Sequence, residues 1–238
     1  MPEEFEGDLA GAVFWGADLS GARFRDVNLT DAKISHAWVV NVDIDALIDN
    51  VVINGVDVTG YVNERDPWYP LRAMLRPASP EEMRATWVAL QTEWAKTTAR
   101  AQALAEDTLH QSVDGEWSFV QTLRHLIFAM DKWFTAPVLG DGFHPIGLPN
   151  KGSVDFPWPS LDYDLTPSFA DALAVRTDRA ARFRDYLVSV AATDFERPIE
   201  VLENGSHPLK ECIYTVIEEE FWHNRYARRD LAQLESNK

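Results

Sequence analysis

Between residues 7 and 46 a large apolar side chain recurs at every fifth position: Leu9, Phe14, Leu19, Phe24, Leu29, Ile34, Val39 and Ile44. Two residues before each stands a small or β-branched one: Gly7, Ala12, Ala17, Ala22, Val27, Ala32, Ala37 and Val42. The positions on either side of each large one are mostly polar. A period of five fits neither a helix, at 3.6, nor a flat strand, at 2.0. One residue then drops out of phase, and the pattern resumes as ALIDN, VVING and VDVTG, centred on Ile48, Ile53 and Val58, for eleven units in all. Units that turn a corner every five residues point the small and the large apolar residue inward. Stacking them buries a column that no unit could bury alone.

The spacing changes after residue 60. Residues 61–80 hold four prolines, which argues for a connector with one helical turn at Leu71–Leu75. From residue 79 onward the apolar spacing is 3–4, and four amphipathic helices are predicted. The first has Ser79 as N-cap, Pro80 at its first position and Glu82 closing a capping box. It carries Met83, Trp87, Leu90, Trp94 and Thr98 on its buried stripe and runs to about Leu104. The second is capped by Ser118 and Gln121, buries Val120, Leu123, Ile127, Met130 and Phe134, and is ended by Pro137 and Gly140. A long loop over 137–165 follows, whose Phe143, Ile146, Phe156 and Trp158 mark it as packed. The third helix starts near Thr166-Pro167 and runs to about Val190; the fourth spans Pro208 to about Leu234. Between them Asn204-Gly205, flanked by Ile199, Val201 and His207, predicts a small hairpin. Four such helices make a four-helix bundle. The domains expected are 1–60, a linker over 61–78, and 79–238.

Charge and composition narrow the function. The chain has 238 residues and a net charge of −16, so it should repel nucleic acid and anionic membrane. Cys212 is the only cysteine, which excludes a disulfide framework and a cysteine-based zinc site. No run of eighteen apolar residues spans a membrane, and the acidic N-terminus lacks the apolar core of a signal peptide, so the expected location is the cytoplasm. Residues 1–60 carry 11 Asp and Glu against three basic residues, Arg23, Arg25 and Lys33. The five-residue motif resembles the pentapeptide-repeat family, with consensus A(D/N)LXX. That resemblance implies a right-handed quadrilateral β-helix of four units per coil, here short. The role it implies is a stability or docking element or, by its acidity, a weak mimic of duplex DNA.

Of the six histidines, only His125 and His223 fall on helices at otherwise apolar positions. Glu219 lies one turn before His223 and shares its face, with Glu220, three before, as the alternative. A carboxylate and an imidazole one turn apart make a metal pair, and His125 from a facing helix is the natural third ligand. Trp117-Ser118, Leu123, His125-Leu126 and Trp133, with His223-Asn224-Arg225-Tyr226-Ala227 and Arg229-Asp230-Leu231, resemble the DinB/YfiT family over about residues 79–235. The fold class expected is therefore α+β in two domains: the pentapeptide β-helix followed by an all-α DinB/YfiT-like bundle.

The family uses three histidines, one on the second helix and an H-x-x-x-H pair on the last. His125 and His223 match two of these, and Glu219 replaces the first of the pair. The resemblance implies a divalent ion (zinc, nickel or manganese) and a low-molecular-weight thiol as cosubstrate. The reaction implied is a metal-dependent thiol transfer to a small electrophile, or a hydrolysis. Tyr226, one turn beyond His223, is the candidate proton donor or hydrogen bonder, against a plain packing role. Arg225, Arg228 and Arg229 are read as a solvated face paired with the Glu218–Glu220 run, of which at least one member turns inward, with Glu219 favoured by its spacing to His223. A homodimer is compatible with this reading. The competing class is a non-catalytic interaction or scaffold protein with a vestigial metal site.

Overall fold

The computed structural model describes residues 4, 5, 7–25, 27–150, 153 and 156–236, and the chain divides into two compact units, Met1–Ala46 and Leu47–Lys238. In the first unit the five-residue period is written in turns. Leu9, Leu19 and Leu29 carbonyls accept from Ala12, Ala22 and Ala32 N–H groups at 3.0 Å. Asp8, Asp18 and Asn28 open these turns by accepting from the amide two residues on, at 2.9–3.0 Å. The third turn residue has positive φ, which glycine supplies at Gly11 and Gly21 and Asp31 supplies at 61°. Alternate units thus close with a hydrogen bond. No strand forms among the described residues of this unit, and its eight large apolar side chains are 47–79% exposed.

The three units expected after the phase slip take another form. Strands β1 (Val52–Ile53) and β2 (Val56–Asp57) pair antiparallel in a hairpin. Asn54 and Gly55 turn the corner with φ of 51° and 84°, the left-handed pair that a two-residue hairpin of this twist requires. The Asn-Gly signal outweighs the five-residue phase here, because an isolated turn of this type forms locally whereas a repeat unit needs neighbours. The proline-rich connector holds two short helices, α1 (Thr59–Asn63) and α2 (Tyr69–Arg72). The expected helical turn sits two residues early, since Pro70 occupies the first turn of α2. Leu71 and Leu75 go into the bundle core.

The bundle is made by α3 (Pro80–Gln102), α5 (Phe119–Met130), α7 (Phe169–Ser189) and α8 (Leu209–Ser236), with a short α4 (Glu106–Leu109) after the first. Each long helix packs on two others. Ser79 caps α3 as expected, but Glu82 reaches the Ala78 amide, at 2.7 Å. Thr97, not Thr98, is the buried threonine of its stripe, keeping the 3–4 spacing from Trp94 to Ala101. On α5 the capping box is complete: Ser118 Oγ accepts from Gln121 N at 3.2 Å, and Gln121 Oε1 from Ser118 N at 2.9 Å. Ser118→Ala should lower stability by about 1 kcal/mol, read as a shift in the urea midpoint. An unchanged midpoint would show that the α5 start is held by packing alone.

Helix α5 does not stop at Pro137. A π-helical turn, Asp131–Thr135, leads into α6 (Ala136–Leu139), and Gly140 with φ 77° ends it. The widened turn places Pro137 in the first turn of a new helix, where its missing N–H has no partner to lose. Asp131 in that turn is fully buried and accepts from Arg179 Nε at 2.8 Å and from the His144 amide at 2.7 Å. Helix α7 starts two residues later than expected, because Ser168 and Asp171 make the cap. Strands β3 (Pro198–Glu200) and β4 (Ser206–Pro208) form the expected hairpin around Asn204-Gly205, with Ile199 opposite His207.

Two apolar clusters fill the bundle. Trp87, Phe134 and Phe183 centre one, with ring centroids 4.6 and 4.9 Å apart. Trp94, Phe119, Leu123, Ile127 and Leu231 build the other. Between α7 and α8 lies a charged exception: Arg176 pairs with Glu220, both almost fully buried, and its guanidinium lies 4.2 Å over the Trp94 ring.

Candidate metal centre

Helices α5 and α8 face each other and bring His125, Glu219 and His223 together, with one ligand atom from each lying within 4.8 Å of the others. His125 Nε2 stands 3.3 Å from Glu219 Oε2, and His223 Nδ1 stands 3.1 Å from the same oxygen. Glu219 and His223 meet because four residues make about one turn. The two imidazole rings are 4.7 Å apart, and Trp117, at the start of α5, lies 4.5 Å from His125 and stacks on His223 at 6.2 Å. The site is thus walled by an aromatic ring and half shielded from water.

The other ring nitrogen of His125 is committed. Its Nδ1 is 3.0 Å from the Leu148 carbonyl in the long loop. A carbonyl only accepts, so this bond needs the proton on Nδ1 and leaves Nε2 as a lone pair. That lone pair faces a carboxylate oxygen. Two acceptors aimed at one another are what a cation between them satisfies, so the donor set fits a divalent ion. Two imidazoles and one carboxylate suit zinc, nickel or manganese and leave coordination positions open.

Burial works against charge on Glu219, but its contacts with His125 and His223 outweigh it and hold the carboxyl far below its usual range. Burial lowers His125, more than Glu219 raises it. Burial also opposes charge on His223, but the bond to Glu219 prevails and its pKa is raised. Each shift has a sign in stability. Glu219, depressed in the fold, stabilises above about pH 4.3 and loses that contribution as pH falls through its folded value. His125, also depressed, loses its contribution as pH falls below about 6.5. His223, raised, contributes fully below about 6.5 and loses it as pH rises through its folded value. With a chelator present, the urea midpoint should therefore peak near neutrality and fall on both sides. Saturating zinc should remove the alkaline fall, because a bound His223 has already released its proton. A midpoint that stays flat above neutrality in chelator would contradict the His223 assignment.

Tyr226 is 41% exposed and presents a T-shaped contact to His223, centroids 6.0 Å apart, at the rim of the site. Arg228 and Arg229 find partners outside the Glu218–Glu220 run. Arg228 bonds Glu93 at 2.8 Å, Arg229 bonds Asp230 at 2.7 Å, and Arg225 lies over Trp222 at 5.4 Å. Eight or more residues along the helix separate Arg228 and Arg229 from those glutamates, by at least ~12 Å of rise. Each glutamate has its own anchor: Glu218 on Arg76, Glu219 in the triad, Glu220 on Arg176. Glu219 and Glu220 both turn inward. The missed signal was Arg176, which stands on the apolar stripe Phe169, Ala172, Ala180, Phe183 and needs a buried carboxylate. The Leu148 carbonyl had no signal at all, since any residue supplies one. Cys212 is buried in the core, where desolvation pushes its thiol up to about 11. The chain itself offers no reactive thiolate.

Comparison with protein families agrees with this architecture. The DinB superfamily model matches residues 89–227, which include all three ligand candidates, and the pentapeptide-repeat model matches eight copies over residues 8–44. A bundle with an inward-facing His–Glu–His triad defines the class, and the chain belongs to the DinB superfamily, a group that in general covers metal-dependent enzymes, here fused to pentapeptide repeats. Comparison with curated proteins returned no match. Comparison with solved structures returned none either. Among the described residues, no helix is long and apolar enough to cross a membrane.

Proposed function

We propose that this protein is a divalent-metal-dependent enzyme that transfers a low-molecular-weight thiol, of the mycothiol or bacillithiol kind, to a small electrophile. The observation that carries the reading is the triad, whose three ligand atoms lie within 4.8 Å on facing helices. His125 Nε2, Glu219 Oε2 and a His223 ring nitrogen would hold the ion. When bound, it would keep the cosubstrate thiol as thiolate at neutral pH. The chain then orients and shields. Leu148 fixes the His125 ring, and Trp117 covers both imidazoles and limits water. Tyr226, at the rim, donates a hydrogen bond to the departing group. The carbon–sulfur bond forms as the carbon–halogen bond of a model electrophile breaks, and halide leaves.

The test is a thiol-transfer assay with zinc-, nickel- or manganese-loaded protein, each thiol in turn, and chlorodinitrobenzene. Metal-dependent thioether formation above the uncatalysed rate supports the reading. With metal bound and no thiol consumed, the reading would be limited to a hydrolase or a binding protein. For the N-terminal unit, we infer a docking surface made by closing the units into a short right-handed β-helix. The period of five and the alternating hydrogen-bonded turns support it. Closure would protect the amides of residues 8–44 from hydrogen exchange as one block; exchange within seconds throughout would rule it out.

A further inference from the structure

The long loop does more than pack. Residues 141–150 are tied to two consecutive residues of α5. The Leu148 amide donates to the Arg124 carbonyl at 3.1 Å, Arg124 Nε donates to the Ile146 carbonyl at 2.8 Å, and the Leu148 carbonyl accepts from His125 Nδ1 at 3.0 Å. Upstream, the His144 amide is held by buried Asp131. This close approach depends on Gly147. A Cβ there would stand 3.0 Å from Leu161 Cδ2, 3.3 Å from the His144 carbonyl and 3.4 Å from Phe128 Cβ. Leu161 can swing away, but the backbone oxygen can only give by moving the loop.

We propose that residues 141–150 form a strap that sets the tautomer and aim of His125, with Gly147 as the positioning residue that lets the strap close. The proposal rests on the metal reading only for its affinity effects. The partner of a ligating imidazole fixes its proton on the far nitrogen, raises its basicity and orients the ring, and losing such a partner typically costs 10- to 100-fold in metal affinity. Here that partner is a main-chain carbonyl, so no side-chain substitution at Leu148 removes it. The leverage lies at Gly147 and Arg124. Coupling is reciprocal: an ion on Nε2 strengthens the Nδ1–H bond to Leu148 and holds the strap down.

The experiment uses the full chain as wild type, Gly147→Ala, Arg124→Met and, as control, Gly142→Ala, where a Cβ meets nothing within 4 Å. Ring-nitrogen NMR of the metal-free protein reads the His125 tautomer, and calorimetry with zinc reads affinity. The expected results are a wild-type His125 protonated at Nδ1 and mixed tautomers in Gly147→Ala and Arg124→Met. Zinc affinity should fall about 10- to 100-fold in both, and Gly142→Ala should match wild type. Arg124→Met loosens the strap from the α5 side and keeps the test decisive should Gly147→Ala fail to fold. A wild-type His125 protonated at Nε2 would overturn the proposal, as would folded variants with unaltered tautomer and affinity. If wild type binds no zinc, the metal reading fails on its own, and the tautomer comparison still decides the strap.

Discussion

Purified without a histidine tag, the wild-type chain is expected to carry ~1 divalent ion, and the His125→Ala/His223→Ala variant essentially none. Elemental analysis beside circular dichroism reads both content and fold. The reason for so complete a loss is geometric. The triad draws its nitrogens from two helices, and a lone carboxylate on α8 is a weak, exchangeable ligand. Glu219→Gln keeps the shape and removes the charge, and should weaken zinc by more than ~100-fold, beyond what an outer partner contributes. Glu219→His should retain binding and shift preference toward metals that favour imidazole. Wild-type protein that stays metal-free after incubation with zinc, nickel and manganese would end the metalloenzyme reading.

The second large effect concerns the buried pair on the other side of α8. Arg176→Met leaves the Glu220 carboxylate enclosed without its cation, and should cost about 3–5 kcal/mol in urea unfolding. The cation–π contact with Trp94 is lost as well. Replacing both members, Arg176→Met with Glu220→Leu, should recover most of that loss, because burying two charges is expensive before their attraction offsets it. The contrast between single and double variants is the informative result. Equal, small losses in both would mean that water reaches the pair.

The four long helices, the caps of α3 and α5, the five-residue repeat and the two histidines with Glu219 were legible in the sequence, because each is written in local spacing. A capping box lies within four residues, and a ligand pair one helical turn apart is set by helix geometry alone. The meeting of His125 with Glu219 needed only that α5 and α8 be neighbours. Other features were decided by competition between local signals. Asn54-Gly55 overrode the repeat phase, and the π turn carried α5 past Pro137. What tertiary structure alone decided is the identity of partners far apart in the chain. Glu220 and Arg176 are 44 residues apart, and His125 and the Leu148 carbonyl are 23 apart. The sequence marks a buried charge as needing a partner but not which one, and it gives a main-chain carbonyl no mark. Those pairings follow from how helices and loop pack around a shared core, where desolvation leaves each polar group to the one partner within reach.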